Sequence, residues 1–105
     1  MKRGQIILVN FSPTSGHEQK GYRPAVVLSH TLHNQKTNLA IVCRITSQIK
    51  GYPFEVEIDT KKVKGVAIAN QIRTLDLGAR KYKLADVVSD KILLEIIRKV
   101  KLIIE

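Results

Sequence analysis

Five short apolar runs, each bounded by turn residues, restrict the fold of this chain more than any other feature of its sequence. The runs span residues 6–11, 25–28, 39–45, 54–58 and 66–69. Because they are short and rich in β-branched side chains, they are predicted to be β-strands. The first run is continuously apolar, which favours a central strand with both faces covered. Strands at this spacing predict a small, strongly bent sheet or barrel.

The end of the chain has the period of a helix instead of a strand. Between Ile92 and Ile104 the apolar residues recur at steps of three and four, which predicts an amphipathic helix. Ser89 is the predicted N-cap, and Val88 and Leu93 are spaced to form a hydrophobic staple around it. The expected fold class is therefore mainly β, with a small barrel and one C-terminal amphipathic helix packed on it.

The polar segments between the apolar runs are predicted to be turns and loops. Residues 31–38 are expected to form a turn or one short helical turn, and residues 61–65 a basic turn. Residues 46–53 and 70–83 are expected to be loops. The sequence contains no repeat, linker or low-complexity tract, so residues 1–105 are expected to form a single domain.

A further loop, residues 12–23, is predicted between the first two strands. Long loops in small domains are often functional. Within residues 17–23 this loop carries an imidazole, a carboxylate, an amide, an ammonium, a phenol and a guanidinium. These groups make the loop a candidate site for acid–base chemistry.

The charge of the chain is strongly positive. Lys and Arg total 18 against 9 Asp and Glu, which gives a formal net charge of +9 and a sequence pI near 9.9. A charge of this size favours a polyanionic partner such as nucleic acid or an acidic protein. Simple solubility is the alternative explanation.

Cysteine usage and the N-terminus indicate the compartment. Cys43 is the only cysteine and lies within an apolar run, so it is expected to be a small buried hydrophobe rather than a nucleophile. A single cysteine forms no disulfide within one chain, which fits a reducing cytoplasm. The N-terminus lacks the pattern of a signal peptide, and no apolar run approaches the about 20 residues that span a membrane. The expected location is the cytoplasm, with no membrane partner.

Potential metal ligands are few. The candidates are His17, Glu18, His30 and His33, which lack the spacing of a zinc motif. His30 and His33 flank a polar turn and are expected at the surface. The glycine-rich motifs that bind nucleotides are also missing from the sequence, so no metal or cofactor is predicted. Metal-free acid–base chemistry beside cationic groups suits RNA, whose own 2′-hydroxyl attacks its phosphodiester.

Several motifs, in order along the chain, together carry a family resemblance. They are Ser12-Pro13-Thr14, Gly16-His17-Glu18-Gln19, Gly21, Arg23-Pro24-Ala25-Val26-Val27, Asn34-x-Lys36-Thr37, Ile45-Thr46-Ser47-Gln48, Lys50-Gly51-Tyr52-Pro53-Phe54-Glu55-Val56 and Gln71-Ile72-Arg73-Thr74-Leu75-Asp76. With these motifs the chain closely resembles, nearly end to end, the MazF/PemK toxins of bacterial toxin–antitoxin modules. The resemblance implies an SH3-like β-barrel of the CcdB/PemK kind, a homodimer, and a sequence-specific, metal-independent endoribonuclease that cuts single-stranded messenger RNA. It also implies a cognate MazE-like antitoxin whose acidic, partly disordered segment enters the RNA groove.

The resemblance also assigns catalytic residues. The catalytic arginine of the family matches Arg23, and its catalytic threonine matches Thr46. The acid and the base match Glu18, His17 or the residues 73–76, and the family pattern leaves this choice open. On chemical grounds Glu18 is favoured as the base and His17 as the acid, because an imidazole titrates near neutrality.

RNA-binding residues are expected on the loops and turns that follow. They are Lys50, Tyr52, Phe54, Gln71, Arg73, Asp76 and Arg80. One departure from the family is Asn70, where relatives often have an aspartate. Purely structural roles are the alternatives: Arg23 pairing with Glu18, Thr46 capping a turn, and the aromatic rings packing in the core.

Two other functions are compatible with the same barrel. CcdB-like gyrase poisons use a C-terminal tail with a tryptophan, and this chain has no tryptophan. A non-catalytic RNA-binding barrel would use the net charge alone. The presence of Arg23, Thr46 and the pair His17-Glu18 in one chain favours the endoribonuclease.

Overall fold

Six strands and two helices form the part of the chain that the structure describes. The computed structural model describes residues 1–11 and 22–105. Its elements in chain order are β1 (Gln5–Asn10), β2 (Tyr22–Val27), α1 (Thr31–Thr37), β3 (Leu39–Thr46), β4 (Glu55–Asp59), β5 (Lys64–Asp76), β6 (Tyr82–Val87) and α2 (Asp90–Ile104).

The strands form one curled antiparallel sheet in the order β4-β5-β3-β2-β1-β6. The turn that follows the edge strand β4 contacts the other edge strand, β6, across the curl: the amide of Lys62 donates a hydrogen bond to the Asp86 carboxylate at 3.1 Å. The sheet is therefore a half-barrel, and with the C-terminal helix it confirms the predicted mainly β fold class.

Strand β1 is a central strand, as its continuous apolar run predicts. It pairs with β2 on one side and with β6 on the other. Ile6 and Ile7, which are adjacent residues within β1, are both fully buried, but in different apolar clusters. Ile6 packs in the cluster that includes α2, and Ile7 packs in a second cluster with Val42 and Leu75. Since successive strand residues point to opposite faces, both faces of the sheet are covered at β1.

Helix α2 begins where the capping pattern predicts. The Ser89 hydroxyl accepts a hydrogen bond from the amide of Ile92 at 3.2 Å, and Asp90 lies in the first turn. Val88 and Leu93 are buried in the same apolar cluster, where Ile96 has no exposed surface. This packing fixes the helix against one face of the sheet.

Helix α1 confirms the short helical turn expected over residues 31–38. It contains seven residues and ends at Asn38, which is left-handed with φ 59°. His30 and His33 are exposed, as predicted.

The predicted loop over residues 70–83 is wrong at both ends. Strand β5 continues to Asp76, and β6 begins at Tyr82. Residues 70–74 are exposed, so they lack the apolar alternation of a half-buried strand. They are held in the sheet by pairing with β3, for example Ile72 with Cys43 and Arg73 with Val42. This pairing depends on residues far away in sequence, which a local pattern does not include.

Two other predicted loop boundaries shift by one or two residues. Tyr22 and Arg23 belong to β2 instead of the preceding loop, and Thr46 is the last residue of β3. Among the described residues, no helix is both long enough and apolar enough to cross a membrane.

Candidate functional site

A polar groove lies where β3 ends, β4 begins and β5 bulges away from β3. Its volume is about 220 Å³. Its lining is Arg44, Thr46, Gln48, Lys50, Tyr52, Phe54, Glu55, Ile68, Asn70 and Gln71. The groove thus brings together five of the residues that the sequence singles out: Thr46, Lys50, Tyr52, Phe54 and Gln71.

The loop on one wall of the groove is held by Glu55. One oxygen of this carboxylate accepts a hydrogen bond from the amide of Lys50 at 3.1 Å, and the other accepts one from the amide of Gly51 at 2.9 Å. Gly51 has φ +77°, a conformation that L side chains rarely adopt. The backbone carbonyl of Glu55 in turn accepts a hydrogen bond from the side-chain ammonium of Lys99, on α2, at 2.9 Å. The loop is therefore tied both to β4 and to the C-terminal helix.

Two aromatic rings of this loop form a pair. The ring centroids of Tyr52 and Phe54 are 5.1 Å apart, with the planes tilted by 34°. Tyr52 is half exposed, at 50%. An exposed aromatic face in a basic groove is suited to stacking on an unpaired base. The alternative of a core role is wrong for Tyr52.

Thr46 is held at the end of β3 by close backbone packing. A Cβ atom on Gly65 would lie 2.4 Å from the carbonyl oxygen of Thr46, so only glycine fits at this position of β5. The Thr46 hydroxyl accepts the amide of Gln48 at 3.2 Å. The hydroxyl has one further lone pair and its own proton for a ligand.

Arg23 lies on β2, the strand that pairs with β3. Ala25 of β2 pairs with Arg44 of β3, and the described pairing of these strands ends there, directly after Pro24. Proline has no amide proton to donate to a ladder. Two residues before Ala25, Arg23 pairs with Val9 of β1. One Arg23 amino group donates to the carbonyl of Tyr22 at 2.8 Å, and the residue is exposed.

Three predicted RNA-binding residues lie outside the groove lining. The guanidinium of Arg73 stacks over the Phe11 ring, 5.4 Å from its centroid. A guanidinium nitrogen of Arg80 donates to the carbonyl of Asn10 at 2.6 Å. Asp76 accepts the amide of Gly78 at 2.9 Å and so stabilises the turn after β5. Arg73 and Arg80 thus contact residues at the end of β1, whereas Asp76 stabilises the turn that follows its own strand.

His17 and Glu18 lie outside the described residues, so their predicted roles stay predictions. Near the two ends of that segment, Asn10 of β1 pairs with Tyr22 of β2. Arg23 follows this pair directly.

The predicted site does not include the other five residues of the groove: Arg44, Gln48, Glu55, Ile68 and Asn70. Arg44 falls inside an apolar run, and its charge there was the one available indication of an exposed position. Glu55 stands in an alternation of apolar and acidic residues over 54–58, which predicts no more than a half-exposed strand. Its hydrogen bonds to Lys50 and Gly51 depend on how the loop folds back, which the sequence pattern does not show.

Charges in the described part of the chain are unevenly paired. Its ion pairs join Lys64 to Asp59 and Arg98 to Glu95, both away from the groove. The groove cations Arg44 and Lys50 form no ion pair with a described carboxylate. The groove is therefore a cationic surface that suits an anionic ligand.

The one thiol near the groove is chemically inert. Burial raises the pKa of Cys43 to about 12, and its Sγ donates to the carbonyl of Ile68 at 3.1 Å. A thiol with this pKa stays protonated at neutral pH, so it is not a nucleophile. The prediction of a small buried hydrophobe is confirmed.

The sequence matches the model of a known family. The family model described as "PemK-like, MazF-like toxin of type II toxin-antitoxin system" matches residues 2–104. The chain therefore belongs to the PemK/MazF toxin family, as its motifs predict.

Individual relatives agree with this assignment. The endoribonuclease toxin MazF of Escherichia coli K12 is 47% identical over 77 residues, which are 73% of this chain and 69% of the relative. The endoribonuclease toxin ChpB of the same organism is 36% identical over 110 residues, covering 99% of this chain and 94% of ChpB. Membership of this family favours the endoribonuclease over the gyrase poison and the non-catalytic barrel.

Solved structures match the fold closely. A crystal structure of MazF from Deinococcus radiodurans has a TM-score of 0.87 and 37% identity, covering 99% of this chain and 96% of that chain. A MazE–MazF crystal structure from the same organism has a TM-score of 0.85 and 32% identity, covering 99% and 94%.

Proposed function

We propose that this chain is the toxin of a type II toxin–antitoxin module and acts as a sequence-specific, metal-independent endoribonuclease on single-stranded messenger RNA. The observation that carries the proposal is the cationic groove that gathers Thr46, Lys50, Tyr52 and Gln71 at the end of β3, the strand that pairs with β2, on which Arg23 lies. Relatives named as endoribonuclease toxins support it. Cleavage of messenger RNA would inhibit translation and growth.

The proposed reaction uses a nucleophile that belongs to the substrate. The 2′-hydroxyl attacks the adjacent phosphorus while its proton passes to the base, Glu18. The bond from phosphorus to the 5′-oxygen breaks as that oxygen takes a proton from the acid, His17. The products are a 2′,3′-cyclic phosphate and a 5′-hydroxyl. Arg23 stabilises the charge of the phosphorane, and Thr46 positions a phosphate oxygen.

Side chains of the groove bind the nucleotides that flank the cleaved phosphate. Tyr52 and Phe54 stack on bases, and Lys50 and Gln71 contact the backbone and base edges. Arg73, Asp76 and Arg80 extend the contact towards the end of β1. Arg73 lies over Phe11 and Arg80 donates to Asn10, so both arginines lie at the end of β1, which supports their contact with RNA. Asp76 accepts the amide of Gly78, a turn contact that supports an RNA contact less.

The cleavage experiment uses purified protein and RNA with excess EDTA. We expect cleavage to continue, and sequencing of the RNA ends maps the cut site. A second RNA carries a 2′-deoxy nucleotide immediately 5′ to that cut. We expect it to remain intact, since it lacks the attacking group, and an unchanged rate on this substrate contradicts the mechanism.

The proposed assembly is a homodimer of single-domain chains spanning residues 1–105. The small core and the family resemblance motivate it. A mainly apolar groove beside α2 supports self-association; it is lined by Leu28, Ile41, Ile72, Ile97, Val100 and Ile104 together with Arg3, Ser29 and Lys101. Basic residues at 50, 61, 62, 64, 73, 80, 81 and 83 are expected to contribute to an RNA groove at the interface. A fully active monomer in analytical ultracentrifugation at micromolar concentration contradicts the dimer.

The proposed partner, besides RNA, is a cognate MazE-like antitoxin. Solved MazE–MazF complexes are close structural matches, which supports this partner. The net charge of +9 favours an acidic, partly disordered antitoxin segment. The proposed location is the cytoplasm, where messenger RNA is translated.

A further inference from the structure

Arg44 is a groove residue to which neither the sequence motifs nor the comparisons assign a role. We propose that Arg44 is a further phosphate-binding residue, which binds the RNA backbone next to the phosphate that is cleaved. This inference rests on the proposed function, because it takes RNA as the ligand of the groove.

The position of Arg44 in the sheet places it within the proposed site. It lies opposite Ala25 and two residues before Thr46. Its neighbours Cys43 and Ile45 are buried, whereas Arg44 is exposed. Residues two apart in a strand share a face and are about 6.6 Å apart. This separation is comparable to that of consecutive phosphates along a nucleic-acid strand.

A bulge in β5 opens the sheet at Arg44. Cys43 pairs with Ile72 and Ile45 pairs with Ala67, so residues 68–71 of β5 lie opposite Arg44 alone. Bulges of this kind re-aim side chains and are frequent beside active sites. Arg44 thereby lines the groove together with Ile68, Asn70 and Gln71 of the bulge.

The guanidinium of Arg44 is available for an anion. It makes no hydrogen bond or ion pair to any other residue in ranges 1–11 and 22–105. The carboxylate that shares the groove, Glu55, accepts the amides of Lys50 and Gly51 instead. A planar guanidinium with free donors binds a phosphate through two parallel hydrogen bonds.

The test measures RNA binding without cleavage. The ligand is the RNA with a 2′-deoxy nucleotide at the mapped cut, and its Kd is measured between low and moderate KCl. For Arg44→Gln we expect Kd to rise about tenfold. The slope of log K against log salt should become shallower by about 0.7, the value for one phosphate contact on a single strand.

Two further variants complete the design. Lys91→Gln removes the same charge from the exposed first turn of α2 and should leave both Kd and slope at the wild-type values. Arg44→Lys keeps the charge but loses the planar fork, so it should keep the slope and lose part of the affinity. Because Arg44 is exposed, the melting temperatures of both Arg44 variants should equal that of the wild type.

The possible failures are distinguishable. Wild-type protein that cleaves no RNA contradicts the proposed function, whatever Arg44 does. If the wild type cleaves but Arg44→Gln has the affinity and slope of Lys91→Gln, only the role of Arg44 is overturned. If Arg44→Gln changes the sequence that is cut while keeping the salt slope, Arg44 contacts a base, and the phosphate assignment is overturned.

Discussion

The charged side chains of helix α2 and those of the groove have different partners. On α2, Arg98 pairs with Glu95, and Lys99 donates to the carbonyl of Glu55. In the groove, Arg44 and Lys50 have no carboxylate partner among the described residues. The apolar side of α2 is buried, whereas the groove is polar and open. The difference separates a region that stabilises the fold from a region that is available to an anionic ligand.

This comparison predicts that substitutions in the two regions affect different measurements. Changes in the groove should reduce cleavage and leave the free energy of unfolding unchanged. Changes under α2 should reduce the free energy of unfolding first. A groove variant that unfolds the protein, or a core variant that alters only catalysis, would break the comparison.

The largest expected effect is that of Arg23→Ala on cleavage. Loss of the guanidinium that stabilises the phosphorane should lower kcat on the order of 10³-fold. The melting temperature should change little, because Arg23 is exposed. Arg98→Ala is the matched control on α2 and should keep the wild-type rate. An Arg23→Ala enzyme within tenfold of wild type would move the phosphorane contact to another cation.

The proton-transfer roles predict opposite changes in the pH–rate profile. If Glu18 is the base, the rate falls as pH drops through its pKa, and Glu18→Ala should lose this acidic limb. If His17 is the acid, the rate falls as pH rises through its pKa, and His17→Ala should lose the basic limb. Each change should lower the rate by at least about 10²-fold.

One result separates the alternatives for the acid. A His17→Ala enzyme that keeps both the wild-type rate and the basic limb assigns His17 to RNA contact. The acid then lies among residues 73–76.

In the α2 region, Ile96→Ala should cost about 2–5 kcal/mol in free energy of unfolding, because it leaves a cavity in the core. Ile96 has no exposed surface and packs with Ile6 and Leu93. Leu94→Ala on the same helix is the control, since Leu94 is 61% exposed and should change stability by less than about 0.5 kcal/mol. Urea denaturation of both variants measures the difference, and equal losses would show that α2 is not docked through Ile96.

The smallest expected effect concerns Asp86, which joins the two edges of the sheet. Hydrogen bonds from the Thr60 side chain, then from the amides of Val87 and Lys62, hold the pKa of this carboxyl below its ordinary value of 3.8. A lowered folded-state pKa gives stability that is present above the ordinary value and is lost as pH falls through the lowered pKa. Asp86→Asn should therefore lower the melting temperature slightly at pH 7, and the difference should shrink below about pH 4. A difference that stays constant down to pH 3 excludes the charge as its cause.

The elements that the sequence predicts well are those whose pattern is local. The continuous apolar run of β1 and the cap at Ser89 are each visible within a few residues, and both are confirmed. Residues 70–76 have no such pattern, because β5 is held there by pairing with β3 and its side chains are mostly exposed. The sequence therefore predicts a strand over residues 66–69 but a loop over the second half of β5.

The residues of the candidate site likewise fall into those that a sequence motif predicts and those that only the structure shows. Thr46, Lys50 and Tyr52 were found because they stand in motifs that resemble a family, and they do line one groove. Arg44 was missed because it belongs to no such motif and sits in an apolar run. Only the bulge of β5 and the register with Ala25 show that it faces the groove.

The hydrogen bond from Lys99 to the backbone carbonyl of Glu55 couples the local unfolding of the groove loop to that of helix α2. Glu55 holds the amides of Lys50 and Gly51, so these two protons are protected from solvent only while the start of β4 stays in place. Fraying of the second half of α2 removes the ammonium that secures this strand. In hydrogen exchange, the Lys50 and Gly51 amides should therefore open with the last turns of α2, earlier than those of β1. On warming, we therefore expect the groove to lose its shape before the sheet unfolds.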